Sequence, residues 1–171
     1  MHDHLRKSGK AADENGCRLC PRNCGVKRDA GETGICGQTD RIKAARAALH
    51  YWEEPCISGE AGSGTVFFSG CALHCVFCQN KNIANGTAGK YITIARLSEI
   101  FLELQAKGAN NINLVTPGHF VPQIREALIR AKEQGLSLPV VYNTGSYEYV
   151  DALRQMEGLV DIYLPDFKYM D

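Results

Sequence analysis

Cys71, Cys75 and Cys78 bring three thiols into the short stretch GCALHCVFCQN, residues 70–80. Four thiolates complete a tetrahedral zinc shell or a cubane iron–sulfur cluster and leave no position open for a substrate. Three thiolates from one loop can instead hold three irons of a [4Fe–4S] cube and leave the fourth iron without a protein ligand. Chemistry can then take place at that open iron. On spacing alone, the alternatives are a zinc site completed by His74 or Asn80, or a buried cluster with a distant fourth ligand.

The chain has eight cysteines, and the other five fall apart from this loop. Cys17, Cys20, Cys24 and Cys36 form a second group among Gly, Pro, Asn and charged residues. That segment lacks the apolar residues for a core of its own and would have to be organised by a metal. Either zinc or a second iron–sulfur cluster accepts four thiolates, so ligand count does not separate them. Loss of this metal is expected to loosen residues 16–37 and leave the other site largely intact. Cys56 stands alone and reads as a packed or spare thiol.

The 19 basic and 19 acidic residues of the 171 cancel. No long-range field therefore draws the chain to nucleic acid or to an anionic membrane. No secretory signal or membrane-spanning run is evident in the sequence. The expectation is a soluble, cytoplasmic protein, where closely spaced cysteines serve as metal ligands or catalytic groups rather than as disulfides.

These residues need a scaffold. Residues 1–16 are polar and aperiodic and are predicted to be a disordered arm, with His2 and His4 solvated. Residues 17–60 form the Cys-rich metal-binding segment and a linker. Within it, RIKAARAALHYWEEPCISGEAGSG reads as a short helical or extended lead into turns. From residue 61 onward the pattern is regular. Apolar strands are predicted in GTVFFSG, NINLVTPG, LPVVYNTG and LVDIYLPDF. Leu97, Ile100, Phe101 and Leu104 mark one helix between Thr93 and Gly108, and Pro122 opens a second. A third follows Ser146.

Strand and helix in alternation mean parallel strands with right-handed crossovers, buried on both faces. The fold class is α/β: a partial parallel β/α barrel or a small open α/β sheet. Such units place working residues just past the strand C-termini. Here those positions are 70–80, 116–119, 143–146 and 166–168.

CALHCVFC resembles the Cys-x3-Cys-x-aromatic-Cys signature of radical S-adenosylmethionine (SAM) enzymes. Together with CRLCPRNCGVKRDAGETGICG and LHYWEEPCISG, it is similar to the pyruvate formate-lyase activating enzyme-like branch with an N-terminal cysteine cluster. The resemblance implies a [4Fe–4S] cluster on Cys71, Cys75 and Cys78, with SAM chelating the open iron. One electron then yields a 5′-deoxyadenosyl radical. It also implies an electron donor such as flavodoxin or ferredoxin, and a protein substrate that is activated or modified. The non-catalytic alternative is an iron–sulfur or zinc module for electron transfer or assembly.

By the same resemblance Phe77 flanks the adenine and Asn80 contacts the cofactor. Asp166 and Lys168 match an Asp-x-Lys at the fourth strand, and their alternation would turn both toward one pocket; a structural ion pair is the other reading. Two positions depart from the family. Where it carries Gly-Gly-Glu to meet the methionine amino group, this chain has LVTPGH, leaving Thr116 and His119 as nearby candidates. Where the activating enzymes carry Asp before Thr-Asn-Gly, this chain has Tyr142, Asn143, Thr144 and Gly145, which puts a cation at that place in doubt while keeping Asn143 as a cofactor contact. About four of the six β/α units expected of the resemblance are present. The edge of LVDIYLPDF is therefore expected to be unpaired, with weak cofactor binding and self-association as consequences.

Overall fold

The strands pair as one sheet in the computed structural model, which describes residues 16–169. The predicted disordered arm, apart from Gly16, and His2 and His4 with it, lie outside the described residues. The strands are β1 (Lys43–His50), β2 (Ser63–Phe68), β3 (Lys90–Tyr91), β4 (Ile112–Val115), β5 (Val140–Thr144) and β6 (Ile162–Pro165), in the spatial order β3-β1-β2-β4-β5-β6. The four strands expected from the sequence, β2, β4, β5 and β6, run parallel, with Val66 opposite Leu114, Leu114 opposite Tyr142 and Tyr142 opposite Tyr163. The sheet is a mixed, six-stranded α/β sheet and does not close into a barrel.

β3 was not predicted, and β1 falls in the stretch read as either helical or extended, which the structure resolves as extended. β1 pairs antiparallel with β2, and β3 with β1. The sequence of β1, KAARAALH, holds four Ala with a Lys, an Arg and a Leu, all of which favour helix over strand. Pairing with the otherwise open edge of β2 overrides that local preference. The stretch read as a linker thus contributes a strand to the sheet.

The helices follow the periodicity more closely. In α3 (Ile94–Ala106), the Thr93 side chain accepts a hydrogen bond from the Arg96 amide at 3.1 Å, and Leu97, Ile100, Phe101 and Leu104 are buried. In α4 (Val121–Glu133), Pro122 lies in the first turn and Ile124, Leu128 and Ala131 are buried. These two helices cover one face of the sheet. Val66, Phe68, Ile112, Leu114, Val140 and Tyr142 meet them in a continuous core, where each fully buried Leu or Phe contributes about 2 kcal/mol. The helix α5 (Val150–Arg154) is a single short turn, and Met156 just beyond it is fully buried. No helix among the described residues is long and apolar enough to cross a membrane.

The opposite face departs from the expected apolar character. Because side chains alternate along a strand, it carries Ser63 and Thr65 of β2 with Asn111 and Asn113 at β4, all buried. The Ser63 hydroxyl donates to Asn111 Oδ1 at 2.6 Å, and Asn111 Nδ2 donates to the Ile57 carbonyl at 2.8 Å. The one-turn helix α1 (Pro55–Ser58) is fastened there. A polar inner face suits a ligand better than a second hydrophobic layer.

Candidate functional site

A cavity of about 950 Å³ opens at the C-terminal ends of the parallel strands. Its size is that of a site for a small molecule or cofactor. Cys71, Cys75 and Cys78 line it from the loop after β2, with Phe77 and Asn80 beside them. Thr116 and His119 enter after β4, Asn143 from β5, and Asp166 and Lys168 after β6. Parallel topology therefore gathers residues nearly a hundred positions apart.

The cysteine loop is held from below. Gly70 has φ +90°, and a Cβ there would lie 2.4 Å from the Cys36 carbonyl oxygen, so glycine answers both a conformation and a close approach. His74 Nε2 lies 2.7 Å from the Ile35 carbonyl oxygen. That contact ties the loop to the N-terminal segment, and His74, unlike the three cysteines, does not line the cavity, which argues against a zinc site there completed by His74. The Cys78 amide donates to the Cys75 carbonyl at 3.1 Å, a turn that brings these two ligand positions together. Asn80 precedes the one-turn helix α2 (Lys81–Ala84) and makes no side-chain capping bond. The exposed Phe77 ring lies 5.7 Å from that of Tyr169.

Thr116 adopts φ +56°, a strained conformation for a β-branched residue, and its amide donates to the Asn143 carbonyl at 2.9 Å. His119 is buried, and its Nε2 lies 2.8 Å from the Ser69 carbonyl oxygen. Burial, opposed by that bond and assisted by nearby Arg28, takes its pKa down to about 4. It is thus neutral at physiological pH, with Nε2–H donating, and holds the backbone that leads into Gly70 and Cys71. Asn143 Nδ2 reaches Glu53 Oε2 at 3.5 Å. Asp166 and Lys168 form an ion pair with each other just past the end of β6, at a partly exposed rim.

The N-terminal cysteines lie against this loop. Cys17 and Cys36 are buried, Cys20 and Cys24 half-buried. A Cβ on Gly34 would be 3.4 Å from the sulfurs of both Cys24 and Cys36, so those two thiols flank one point. Burial raises the Cys20 thiol, and the neighbouring Cys36, Cys17 and Cys24 raise it further. The segment is tied to the sheet domain by several bonds. Arg22 donates to the carbonyls of Ala72 at 2.7 Å and Leu73 at 3.3 Å. Arg28, 1% exposed, donates to the His119 carbonyl at 2.7 Å and to that of Thr39, and reaches Cys17 Sγ at 3.8 Å. The two cysteine groups therefore share one hydrogen-bonded framework.

Several cavity residues had no sequence-level prediction. Arg46, His50, Glu53 and Glu148 line it, and so does Cys20, which the sequence places with the N-terminal metal ligands. The signal for Glu148 was its place just past a parallel strand; Arg46 and His50 were hidden with the strand that carries them.

Among the described residues, no three His, Cys, Asp or Glu side chains close round a single metal ion. A cube distributes its protein ligands one to an iron, so its thiols stand apart. Three thiols facing a roomy cavity match that donor set. The family described as "4Fe-4S single cluster domain" matches residues 57–163, which include Cys71, Cys75 and Cys78 and leave out the N-terminal four. The chain belongs to this family. An iron–sulfur cluster-binding domain is thereby indicated. An uncharacterized protein of Methanocaldococcus jannaschii is 31% identical over 163 residues, covering 90% of this chain and 45% of that protein. The chain thus spans less than half the length of this curated relative. No solved structure matches it.

Proposed function

We propose that the protein is a radical SAM enzyme whose catalytic loop is Cys71–Cys78. The observation that carries this reading is the meeting of three cysteines of one loop at a cavity large enough for a nucleoside-bearing cofactor, the fourth cysteine that lines it, Cys20, belonging to the N-terminal group. A bound [4Fe–4S] cluster would supply the electron that cleaves SAM to methionine and a 5′-deoxyadenosyl radical able to abstract hydrogen. Cys71, Cys75 and Cys78 would hold it. Phe77 offers a ring to an adenine at the rim, Asn80 and Asn143 offer amides, and Thr116 a hydroxyl. The Asp166–Lys168 pair closes the side beyond β6. His119 acts one step back by fixing Ser69.

A partner protein, activated or modified at one site, fits the mouth of the cavity. Trp52 is 89% exposed there, and Val76 and Phe167 are 83% and 73% exposed. Large apolar groups gathered round an opening mark a contact surface. A donor of the flavodoxin or ferredoxin type would deliver the electron. The four N-terminal thiols form a second metal site, zinc or iron–sulfur, beside a partial parallel β/α barrel of the radical SAM kind.

The test is anaerobic turnover. Reconstituted, reduced protein supplied with SAM is expected to release methionine and 5′-deoxyadenosine in equal amounts. A full cluster with neither product would assign the chain to the alternative class, an iron–sulfur module for electron transfer or assembly.

A further inference from the structure

β1 runs antiparallel to β2, so its first residues lie at the same end of the sheet as the cysteine loop. The Ser69 amide donates to the Lys43 carbonyl at 2.8 Å, and the Gly70 amide to the Ile83 carbonyl at 2.8 Å. Lys43 in turn stands opposite Tyr91, and Ala44 opposite Lys90, at the β3 edge. This edge is thus tied by single hydrogen bonds to the residues that lead into Cys71. Two strand spacings, about 10 Å, separate β3 from β2.

The edge carries positive charge that nothing offsets. The Arg41 guanidinium lies 4.6 Å from the centre of the Tyr91 ring, and the Lys43 ammonium 5.5 Å from it. Arg41 and Lys90 are exposed, and Tyr91 is 48% exposed. Among the described residues none of these three cations forms an ion pair. Residues 81–98 contain no Asp or Glu, and Asp40, beside Arg41 in sequence, pairs with no cation. Like charges gathered at one ring repel each other, and an anionic surface brought against them relieves that repulsion.

None of Arg41, Lys43, Lys90 and Tyr91 lines the cavity, so whatever binds them leaves the cavity free for its own ligand. The charges of the whole chain cancel. The patch therefore acts at short range, on a partner with an acidic patch of its own, and does not gather a long polyanion. Its place against the root of the 71–78 loop suits a partner that must come near the cluster without entering the cavity. We infer that the edge formed by Arg41, Lys43, Lys90 and Tyr91 docks an acidic electron-carrier protein. The carrier is oxidised by one electron, the cluster is reduced by one, and no covalent bond forms or breaks. That docking rests on the cluster and the donor proposed above and does not require that the cluster cleave SAM.

Stopped-flow absorbance of the reconstituted full chain tests this, with reduced flavodoxin and reduced ferredoxin as separate donors and photoreduced deazariboflavin as a small uncharged control. Arg41→Glu combined with Lys90→Glu reverses two exposed charges and keeps Lys43, whose ammonium donates to the Gly86 carbonyl at 2.6 Å. At low salt the carrier that serves wild type is expected to reduce this variant roughly tenfold or more slowly, and with a weaker dependence on ionic strength. Deazariboflavin should reduce both at the same rate. Lys107→Glu combined with Lys132→Glu, the same charge change at the ends of α3 and α4, should leave the carrier's rate near that of wild type. An unchanged rate in the Arg41 and Lys90 variant, equal slowing by the helix-end pair, or equal slowing with deazariboflavin would overturn the assignment. So would a wild-type cluster that neither carrier reduces. The expected pattern without release of 5′-deoxyadenosine sustains the docking edge while the radical SAM reading falls, and a chain that takes up no cluster overturns both.

Discussion

Cys75→Ala protein, reconstituted anaerobically, is expected to lose essentially all of the roughly four irons that wild type holds at the 71–78 loop. A cube anchored by three thiolates and no fourth protein ligand has no spare attachment. Removing the central one leaves an iron open beside the iron that is already open. The turn between Cys75 and Cys78 does not compensate, because its hydrogen bond joins backbone groups and supplies no donor to iron. His74 is the nearest residue in sequence that could substitute, and it does not line the cavity; Cys20 does, and belongs to the N-terminal cysteine group. Cys56→Ala is the control: that thiol is exposed and does not line the cavity. Iron analysis with Mössbauer spectroscopy reads the outcome. Equal iron at the loop in wild type and Cys75→Ala would remove Cys75 from the ligand set.

The second large effect is expected at Arg28. Arg28→Met should destabilise the fold by about 3 kcal/mol or more, because the carbonyls of His119 and Thr39 lose a charged donor in a buried setting. The guanidinium is unusual in having no carboxylate in an ion pair with it among the described residues. Its anionic company is instead the cysteine group: it reaches Cys17 and draws down the pKa of Cys36, which burial otherwise raises. A metal held by four thiolates carries net negative charge, and a buried arginine offsets it. The variant should therefore also hold less metal at the N-terminal cysteines, and its 71–78 loop should be loosened through His119 and Ser69. Urea unfolding and metal analysis check both. Stability within about 0.5 kcal/mol of wild type, the range of an ordinary surface change, would show that Arg28 does not join the two parts.

Much of this architecture was legible because strand ends and site positions obey local rules. Gly70, Pro117 and Gly145 punctuate apolar runs, and parallel topology then sends every loop that follows to the same end of the sheet. Ten residues singled out from four separate segments consequently line one cavity. The illegible parts depend on partners distant in sequence. KAARAALH has helical propensity, and only the edge of β2 makes it a strand. Arg28 is one arginine in a charged, turn-rich segment, and its decisive contact is with His119, 91 positions away. Glu148 packs against Gly118 of a different loop, where a Cβ would lie 2.3 Å from its Oε2. The alternation of Asp166 and Lys168 was visible, and the ion pair they form was one of its two readings, whereas their place beyond the end of β6 was not.

The central claim is that the iron left open at Cys71, Cys75 and Cys78 takes SAM as its ligand. Low-temperature electron paramagnetic resonance of the reduced, reconstituted chain tests it directly, recorded before and after SAM is added. A change in the g-values of the cluster that is absent from Cys75→Ala is the predicted result. A wild-type cluster spectrum that stays the same at saturating SAM would contradict the account.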